Sequence, residues 1–352
     1  MRHYNIPIFI THFGCPNKCV FCNQNKITGR ETNIEPEEIK EIVEEYLLTL
    51  PSSAKKEISF FGGTFTAISL PLQVKFLEEA KYFIDNGNVT GIRLSTRPDN
   101  LTKENVEILK KYGVTTVELG VQSLDDKVLK ISERGYKKEE VERAVKLLKD
   151  FQIEVGIQIM PGLPGSSFKS DLETVEEIIK MKPDLARIYP TLVINDTKLE
   201  KMYRENKYRV MELEEAIKIS SRMIAMLELN NIKIIRVGLQ PSEDIREEGV
   251  IIAGPFHPAF RDLCESYIYK VFFEKMLLDK EKLEIIISKK EISRVVGIKK
   301  SNVHYFKDKI AIKEDSYLSR ESFYLNGESF KREDLLKNIL RVVLNETDYY
   351  KC

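Results

Sequence analysis

Three cysteines near the amino terminus have the spacing of a metal-binding loop. Cys15, Cys19 and Cys22 form a CxxxCxxC pattern after a predicted strand, so one loop can bring three thiolates to one centre. The chain has five cysteines, an odd number that suits metal ligation in a reducing compartment better than a disulfide framework. A four-iron cluster normally has four cysteine ligands, so three would leave one iron open for chemistry. A structural zinc site completed by His12, or three unrelated cysteines, are the alternatives that spacing leaves open.

The elements that must position this loop alternate between strands and helices. β-rich runs are predicted at 8–11, 58–61, 92–95, 116–119, 155–160, 185–189 and 234–237. Segments with helical periodicity lie between them, at 39–50, 70–84, 102–112, 139–148, 171–181 and 211–229. Right-handed crossovers through these helices give a parallel sheet, so we predict an α/β fold with a full or partial TIM-like barrel.

Several small and polar residues follow the predicted strands. Gly62, Gly63 and Thr64 follow the second strand, Gln122 follows the fourth, and Gln158 lies within the fifth. Chemistry in such folds takes place at the carboxyl ends of the strands, so we expect these residues to converge on one mouth.

The pattern changes after the last barrel strand. We predict a barrel domain over residues 1–240, a connecting helical segment over 241–280 and a small basic α+β module over 281–352. Between Glu281 and Ile310, seven lysines and one arginine stand against three glutamates and one aspartate, an excess of four positive charges. Residues of this patch could contact phosphates or form a merely solvated basic face; they are Lys289, Lys290, Arg294, Lys299 and Lys300.

The composition limits the classes of protein to which this chain can belong. Lysine plus arginine and aspartate plus glutamate both number 55 in 352 residues, so no whole-molecule field favours nucleic acid or lipid. No apolar run approaches the roughly 20 residues of a membrane helix, and residues 1–16 lack a signal-peptide pattern. We therefore expect a cytoplasmic protein without membrane contact.

The cysteine loop, with Phe21 directly before its third cysteine, resembles the radical S-adenosylmethionine (SAM) superfamily. The resemblance implies two cofactors, a 4Fe-4S cluster and SAM. It also implies reductive cleavage of SAM to a 5'-deoxyadenosyl radical that abstracts hydrogen from a substrate. The electron would come from a reductant protein such as flavodoxin or ferredoxin.

The resemblance extends to a set of cofactor-binding residues that includes Phe21. Phe61-Gly62-Gly63-Thr64 is similar to the glycine-pair element that lies close to the methionine amine. The segment with Gln122, followed by Arg134, resembles one in which the glutamine holds the ribose and the arginine meets the methionine carboxylate. Gln158 occupies a position that is often acidic in relatives and contacts the ribose. The plainer interpretations are a solvated arginine and a polar residue that faces a barrel interior.

Within the superfamily, four stretches resemble the catalytic subunit of Elongator, a tRNA wobble-uridine modifying enzyme. They are Thr96-Arg97-Pro98-Asp99 and the segments 118–123, 160–165 and 188–194. The likeness implies tRNA as a candidate substrate, approached along the basic module. Two departures limit it: Ser95 stands where that family has a glutamate, and the 281–352 segment is too short for an acetyltransferase domain. Acetyl-coenzyme A chemistry is therefore not inferred from the resemblance.

Two other functions remain open. One is a radical enzyme that acts on a small molecule such as a porphyrin precursor, and the other is a non-catalytic iron-sulfur protein that binds RNA or carries the cluster. Among the remaining candidates, Cys264 lies on an apolar helical stripe and is expected to be buried and inert. His257, beside prolines at a helix start, is expected to cap or pack, and Cys352 is expected to be frayed.

Overall fold

A computed structural model describes residues 3–16, 18–28, 34–239, 245, 247 and 249–342. Its largest sheet has seven parallel strands in the order β1-β2-β3-β4-β5-β6-β8. They are β1 His3–Phe9, β2 Lys55–Phe61, β3 Gly91–Thr96, β4 Val114–Gln122, β5 Glu154–Ile159, β6 Leu185–Ile188 and β8 Lys233–Val237. The sheet curls into a half-barrel whose edges are β1 and β8, so the expected barrel is partial.

Helices connect these strands, as the crossover connections of a parallel sheet require. They are α1 Gln24–Thr28, α2 Glu38–Thr49, α3 Leu70–Asp85, α4 Lys103–Lys111, α5 Asp126–Ile131, α6 Lys138–Asp150, α7 Phe168–Met181, α8 Lys198–Arg204 and α9 Leu213–Leu229. In α6, Val141, Ala144, Val145 and Leu148 are buried, the three- and four-residue steps of one helix face that covers a sheet. Short 3-10 turns at Phe65–Ala67 and Pro98–Asn100 follow β2 and β3.

The first strand is the one strand of the large sheet that the sequence misplaces. β1 runs from His3 to Phe9, whereas the pattern predicts 8–11, and Thr11 lies in the turn that follows. Pro7 makes the strand hard to recognise in the sequence, because proline has no N–H to donate to a β-ladder. Proline is tolerated here because β1 is an edge strand.

A second, smaller sheet follows the half-barrel. Its order is β11-β10-β12-β13, with β10 Leu283–Ser288, β11 Ile310–Asp315, β12 Ser322–Leu325 and β13 Glu328–Lys331. The helices of this region are α10 Phe260–Met276, α11 Ile292–Val296, α12 Ser301–Phe306 and α13 Arg332–Arg341, with 3-10 turns at Ile298–Lys300 and Lys307–Lys309. A separate pair, β7 Val193–Ile194 and β9 Ile251–Ala253, is antiparallel. The boundaries near residues 240 and 280 stay a prediction.

The apolar core is continuous between the two sheets. Phe272 of α10 packs against Phe323 and Phe330 of the small sheet, and the rings of Phe272 and Phe323 are 5.7 Å apart. In the large sheet, the ring of Phe60 lies 5.0 Å from that of Phe65. Phe60 is the second-last residue of β2, the strand whose end contacts the cysteine loop.

Among the described residues, every helix is too short or too polar to cross a membrane.

Candidate active site

The loop that carries the three cysteines is fixed against the end of β2. The backbone of His12 donates to Gly62 O at 3.0 Å, and that of Thr64 donates to Phe13 O at 2.9 Å. Gly14 has φ +73°, and a Cβ there would lie 2.4 Å from Thr64 O, so only glycine suits this approach. The loop and the glycine pair therefore form one unit.

The three thiols line one cavity of about 830 Å³ inside the mouth of the half-barrel. Cys15 Sγ lies 3.3 Å from the Thr64 hydroxyl, and Cys19 Sγ accepts a hydrogen bond of 3.0 Å from Arg134 Nη1. Burial raises the pKa of Cys15, and it raises the pKa of Cys22 to about 12. The thiolates of Cys15 and Cys22 would therefore form as a metal binds.

The donor set fits an iron-sulfur cluster with three protein ligands. Within the described part of the chain no three His, Cys, Asp or Glu side chains surround one point, and the Cys19 thiol is in contact with Arg134. The three cysteines nevertheless share one loop and one cavity, and the fourth described cysteine, Cys264, is buried elsewhere, in α10. His12 is a poor fourth ligand for zinc, since its Nε2 already accepts the backbone N–H of Gln24 at 2.9 Å.

The glycine pair lies against the cysteine loop. A Cβ on Gly63 would be 2.3 Å from Ile10 O and 2.6 Å from Phe13 O, so a side chain would push the loop away. Gly62 has φ +92°, in the region that favours glycine. The requirement for glycine at both positions is thus structural, whatever else the exposed backbone binds.

Gln122 and Gln158 meet at the ends of neighbouring strands. Gln122 ends β4 with φ +70°, a bend that turns its side chain toward β5. Gln158 Nε2 donates to Gln122 Oε1 at 3.1 Å. In this pair, the Nε2 group of Gln122 and the Oε1 atom of Gln158 remain as a donor and an acceptor for a ligand.

Arg134 is buried and forms the centre of a cationic cluster beside Cys19. Besides Cys19, its guanidinium contacts Gly120 O and donates to the Tyr136 hydroxyl at 3.0 and 3.1 Å. Arg97 donates to the Arg134 carbonyl and forms a forked pair with Asp99 at 2.9 and 3.0 Å. Two buried guanidinium groups therefore lie beside the loop that carries the three cysteines.

A second charged network lies deeper in the half-barrel. Glu118 accepts hydrogen bonds from Arg93 at 3.0 Å and from Arg187 at 2.9 Å. Arg93 also donates to Glu57 at 3.1 Å, and Arg187 donates to the Tyr189 hydroxyl at 2.9 Å. Arg93, Glu118 and Arg187 all line the cavity.

The structure brings all ten residues that the sequence points to around this one cavity: Cys15, Cys19, Phe21, Cys22, Gly62, Gly63, Thr64, Gln122, Arg134 and Gln158. Ser95, which stands at the family's glutamate position, also lines it. Sequence reasoning assigns no role to Arg97, although it lies in the quoted Thr-Arg-Pro-Asp stretch, nor to Tyr136, two residues beyond Arg134. It also misses Arg93 and Arg187.

Family models match most of the chain. The model described as the Radical SAM superfamily matches residues 9–178, and the model described as the Radical SAM C-terminal domain matches residues 183–270. The chain belongs to the radical SAM superfamily. The superfamily uses a 4Fe-4S cluster and SAM, which are therefore the cofactors of this radical SAM enzyme.

The chain is similar to two relatives and to one solved structure. A "tRNA uridine(34) acetyltransferase" of Methanocaldococcus infernus is 31% identical over 59% of this chain and 46% of its own length. The human "Elongator complex protein 3" is 31% identical over 39% of this chain and 26% of its own. The structure of the archaeal M. infernus Elp3 covers 92% of this chain and 73% of that one with 23% identity and a TM-score of 0.62, a likeness of fold. The chain spans about half the length of the first curated relatives it matches.

The remaining candidates of the sequence lie outside the radical SAM cavity. Cys264 is buried in α10, as its stripe predicts, and burial raises its pKa. His257 Nδ1 accepts the backbone N–H of Ala259 at 3.1 Å, a local contact at the start of α10. Arg294 of the basic patch forms an ion pair with Glu291 at 2.9 Å, so its guanidinium is less available to bind phosphate. Cys352 lies outside the described residues.

Proposed function

We propose that this radical SAM enzyme modifies a base of the tRNA anticodon, in the cytoplasm, with a reductant protein such as flavodoxin or ferredoxin as electron donor. The observation that carries the catalytic part is the single cavity that holds the three thiols, the glycine pair, Gln122, Arg134 and Gln158 together. The tRNA part rests on the relatives, one of which is named a tRNA uridine(34) acetyltransferase. A reducing compartment would keep the three cysteines as thiols.

Different side chains would bind the cluster and SAM. Cys15, Cys19 and Cys22 would hold three irons of the cluster, and Arg134 would offset the negative charge at Cys19. When bound, the cluster and SAM supply an electron and a 5'-deoxyadenosyl radical that abstracts hydrogen. The backbone at Gly62 to Thr64 and the amides of Gln122 and Gln158 would orient the cofactor, with Phe21 as an apolar wall that helps exclude water.

The cavity suits an anionic substrate. Its lining includes seven lysines and arginines and one glutamate, Glu118; the cations are Lys18, Arg93, Arg97, Arg134, Arg187, Lys233 and Arg236. RNA is an anion, and an enzyme that acts on a base must take that base out of its stack into a pocket. A cavity of about 830 Å³ falls in the usual range of ligand pockets.

The first experiment tests the chemistry. After anaerobic reconstitution with iron and sulfide, the protein is given dithionite and SAM, and 5'-deoxyadenosine is measured. We expect product from the wild type and from Cys264→Ala, a matched loss of a thiol outside the cavity, and none from Cys19→Ala. Zinc bound instead of iron would contradict the assignment, and a bound cluster without SAM cleavage would favour the carrier or RNA-binding function.

The second experiment tests the substrate. Unmodified tRNA transcript should increase 5'-deoxyadenosine formation several-fold and gain a new mass in an anticodon nucleoside. If the enzyme binds small carboxylated metabolites such as porphyrin precursors but no tRNA at physiological salt, the tRNA assignment is wrong and the radical chemistry stands.

A further inference from the structure

Three cavity residues lie in one row across the last strands of the half-barrel. The register pairs Gln158 of β5 with Arg187 of β6, and Arg187 with Arg236 of β8. All three line the cavity. Because adjacent strands are about 4.8 Å apart, Arg236 lies about 10 Å from Gln158, at the open edge of the sheet.

The two arginines of this row differ in their partners. Arg187 is satisfied by Glu118 and the Tyr189 hydroxyl, and its guanidinium lies 5.5 Å from the Phe61 ring centre. Arg236 is half-buried and forms no ion pair or hydrogen bond with the residues that the structure describes. The other cavity arginines, Arg93, Arg97 and Arg134, all have acceptors.

This arrangement brings two arginines to opposite positions on neighbouring strands. Like charges directly opposite each other on neighbouring strands repel. Among the described residues that line the cavity, Glu118 is the one carboxylate, and it already pairs with Arg93 and Arg187. A half-buried guanidinium that lines a cavity lacks part of its hydration. An anionic group bound between the two arginines would reduce this repulsion and give the Arg236 guanidinium an acceptor.

We infer that Arg236, beside Arg187, forms a subsite for a phosphate group of the substrate at the open edge of the half-barrel. A guanidinium fork matches two oxygens of a phosphate. The inference rests on the proposed function for its source: in a tRNA substrate, the phosphate is one that flanks the extruded nucleotide. Its base would then lie toward Gln158, while the phosphate stays near solvent at β8.

The first arm of the test uses inorganic phosphate and needs no RNA. Calorimetric titration compares the reconstituted full chain with Arg236→Gln, Arg236→Lys and Arg341→Gln, the last a matched change at an exposed arginine of α13. We expect Arg236→Gln to weaken binding about tenfold or more, Arg236→Lys to retain part of it and Arg341→Gln to match the wild type. Absent binding by the wild type, or equal binding by both glutamine variants, overturns the subsite. Displacement of phosphate by SAM would assign the site to the cofactor and also overturn it.

The second arm identifies the source of the phosphate. An anticodon stem-loop RNA is compared with the same RNA carrying one neutral methylphosphonate beside the target nucleotide. We expect the neutral linkage to weaken binding several-fold for the wild type but not further for Arg236→Gln, whose salt slope falls by about one. An equal effect on both proteins contradicts this contact. If the stem-loop does not bind while inorganic phosphate still depends on Arg236, the subsite stands and the tRNA substrate is excluded.

Discussion

The hydroxyl of Tyr136 joins the guanidinium of Arg134 to the end of β4. It accepts from Arg134 and lies 2.8 Å from Gly120 O and 2.9 Å from Val121 O, all within the protein. Tyr136→Phe keeps the ring but leaves a buried charged donor short of an acceptor, which should cost about 1–3 kcal/mol of unfolding free energy. Urea unfolding measures this loss.

A matched change separates this effect from the loss of any tyrosine hydroxyl. Tyr112 donates to Glu78 at an exposed position, at 3.2 Å, so Tyr112→Phe should change stability by less than about 0.5 kcal/mol. If both variants unfold at the same urea concentration, Tyr136 does not hold Arg134 in the way described.

At the residue scale, the sequence predicts the cavity ligands but not the side chains that hold them. Cys15, Cys19 and Cys22 are visible because their spacing is local. The pairs that fix the cavity wall are distant: Glu57 and Arg93 are 36 positions apart, and Glu118 and Arg187 are 69 apart. No local pattern marks such partners, because only the register of the parallel sheet brings them together.

The segment between β5 and α7 is held by one buried carboxylate. Asp171 Oδ2 accepts the backbone N–H of Gly162 at 3.0 Å and the Ser166 hydroxyl at 3.3 Å. Burial raises the pKa of Asp171 to about 8, against the lowering effect of these hydrogen bonds. Since this folded pKa lies above the unfolded value of about 3.9, the contribution to stability is complete below that value. It is lost as pH rises through about 8.

Asp171→Asn should therefore flatten the pH dependence of stability. An amide oxygen can still accept from Gly162, and it carries no charge at any pH in this window. Urea unfolding between pH 5 and 8.5 should show a wild-type slope from this group of at most about 1.4 kcal/mol per pH unit, absent in Asp171→Asn. The exposed Asp150→Asn is the control. Parallel curves for all three proteins would refute the role of Asp171 as the titrating group.

At the element scale, periodicity predicts the helices well and the extent of the barrel poorly. The apolar stripe at 39–50 becomes α2, Glu38–Thr49, because one face of that helix must cover the sheet. The periodicity of the helices does not show whether the seven strands close into a full barrel. Val193–Ile194, after β6, pairs with Ile251–Ala253 outside the large sheet, and strands that short give no alternating pattern to detect.

At the scale of the whole molecule, the small sheet is tied to the half-barrel by charge as well as by its aromatic core. Arg332, at the start of α13, donates to Glu228 of α9 at 3.1 Å and to Glu265 of α10 at 2.5 Å. Glu265 is only 1% exposed, and its other cation, Arg261, lies 3.9 Å away. Removal of Arg332 would leave a buried carboxylate poorly compensated.

Arg332→Gln should therefore destabilise the whole chain and not the small sheet alone. The loss of one partner of a buried pair costs about 3–5 kcal/mol, whereas Lys337→Gln, which breaks the exposed pair with Glu333 on the same helix, should cost less than about 1 kcal/mol. Anaerobic urea unfolding is followed by cluster absorbance, which reports the half-barrel, and by far-ultraviolet circular dichroism. In Arg332→Gln both signals should shift together to lower urea. A shift in circular dichroism alone would mean that the small sheet unfolds independently and that this ion pair does not couple it to the active site.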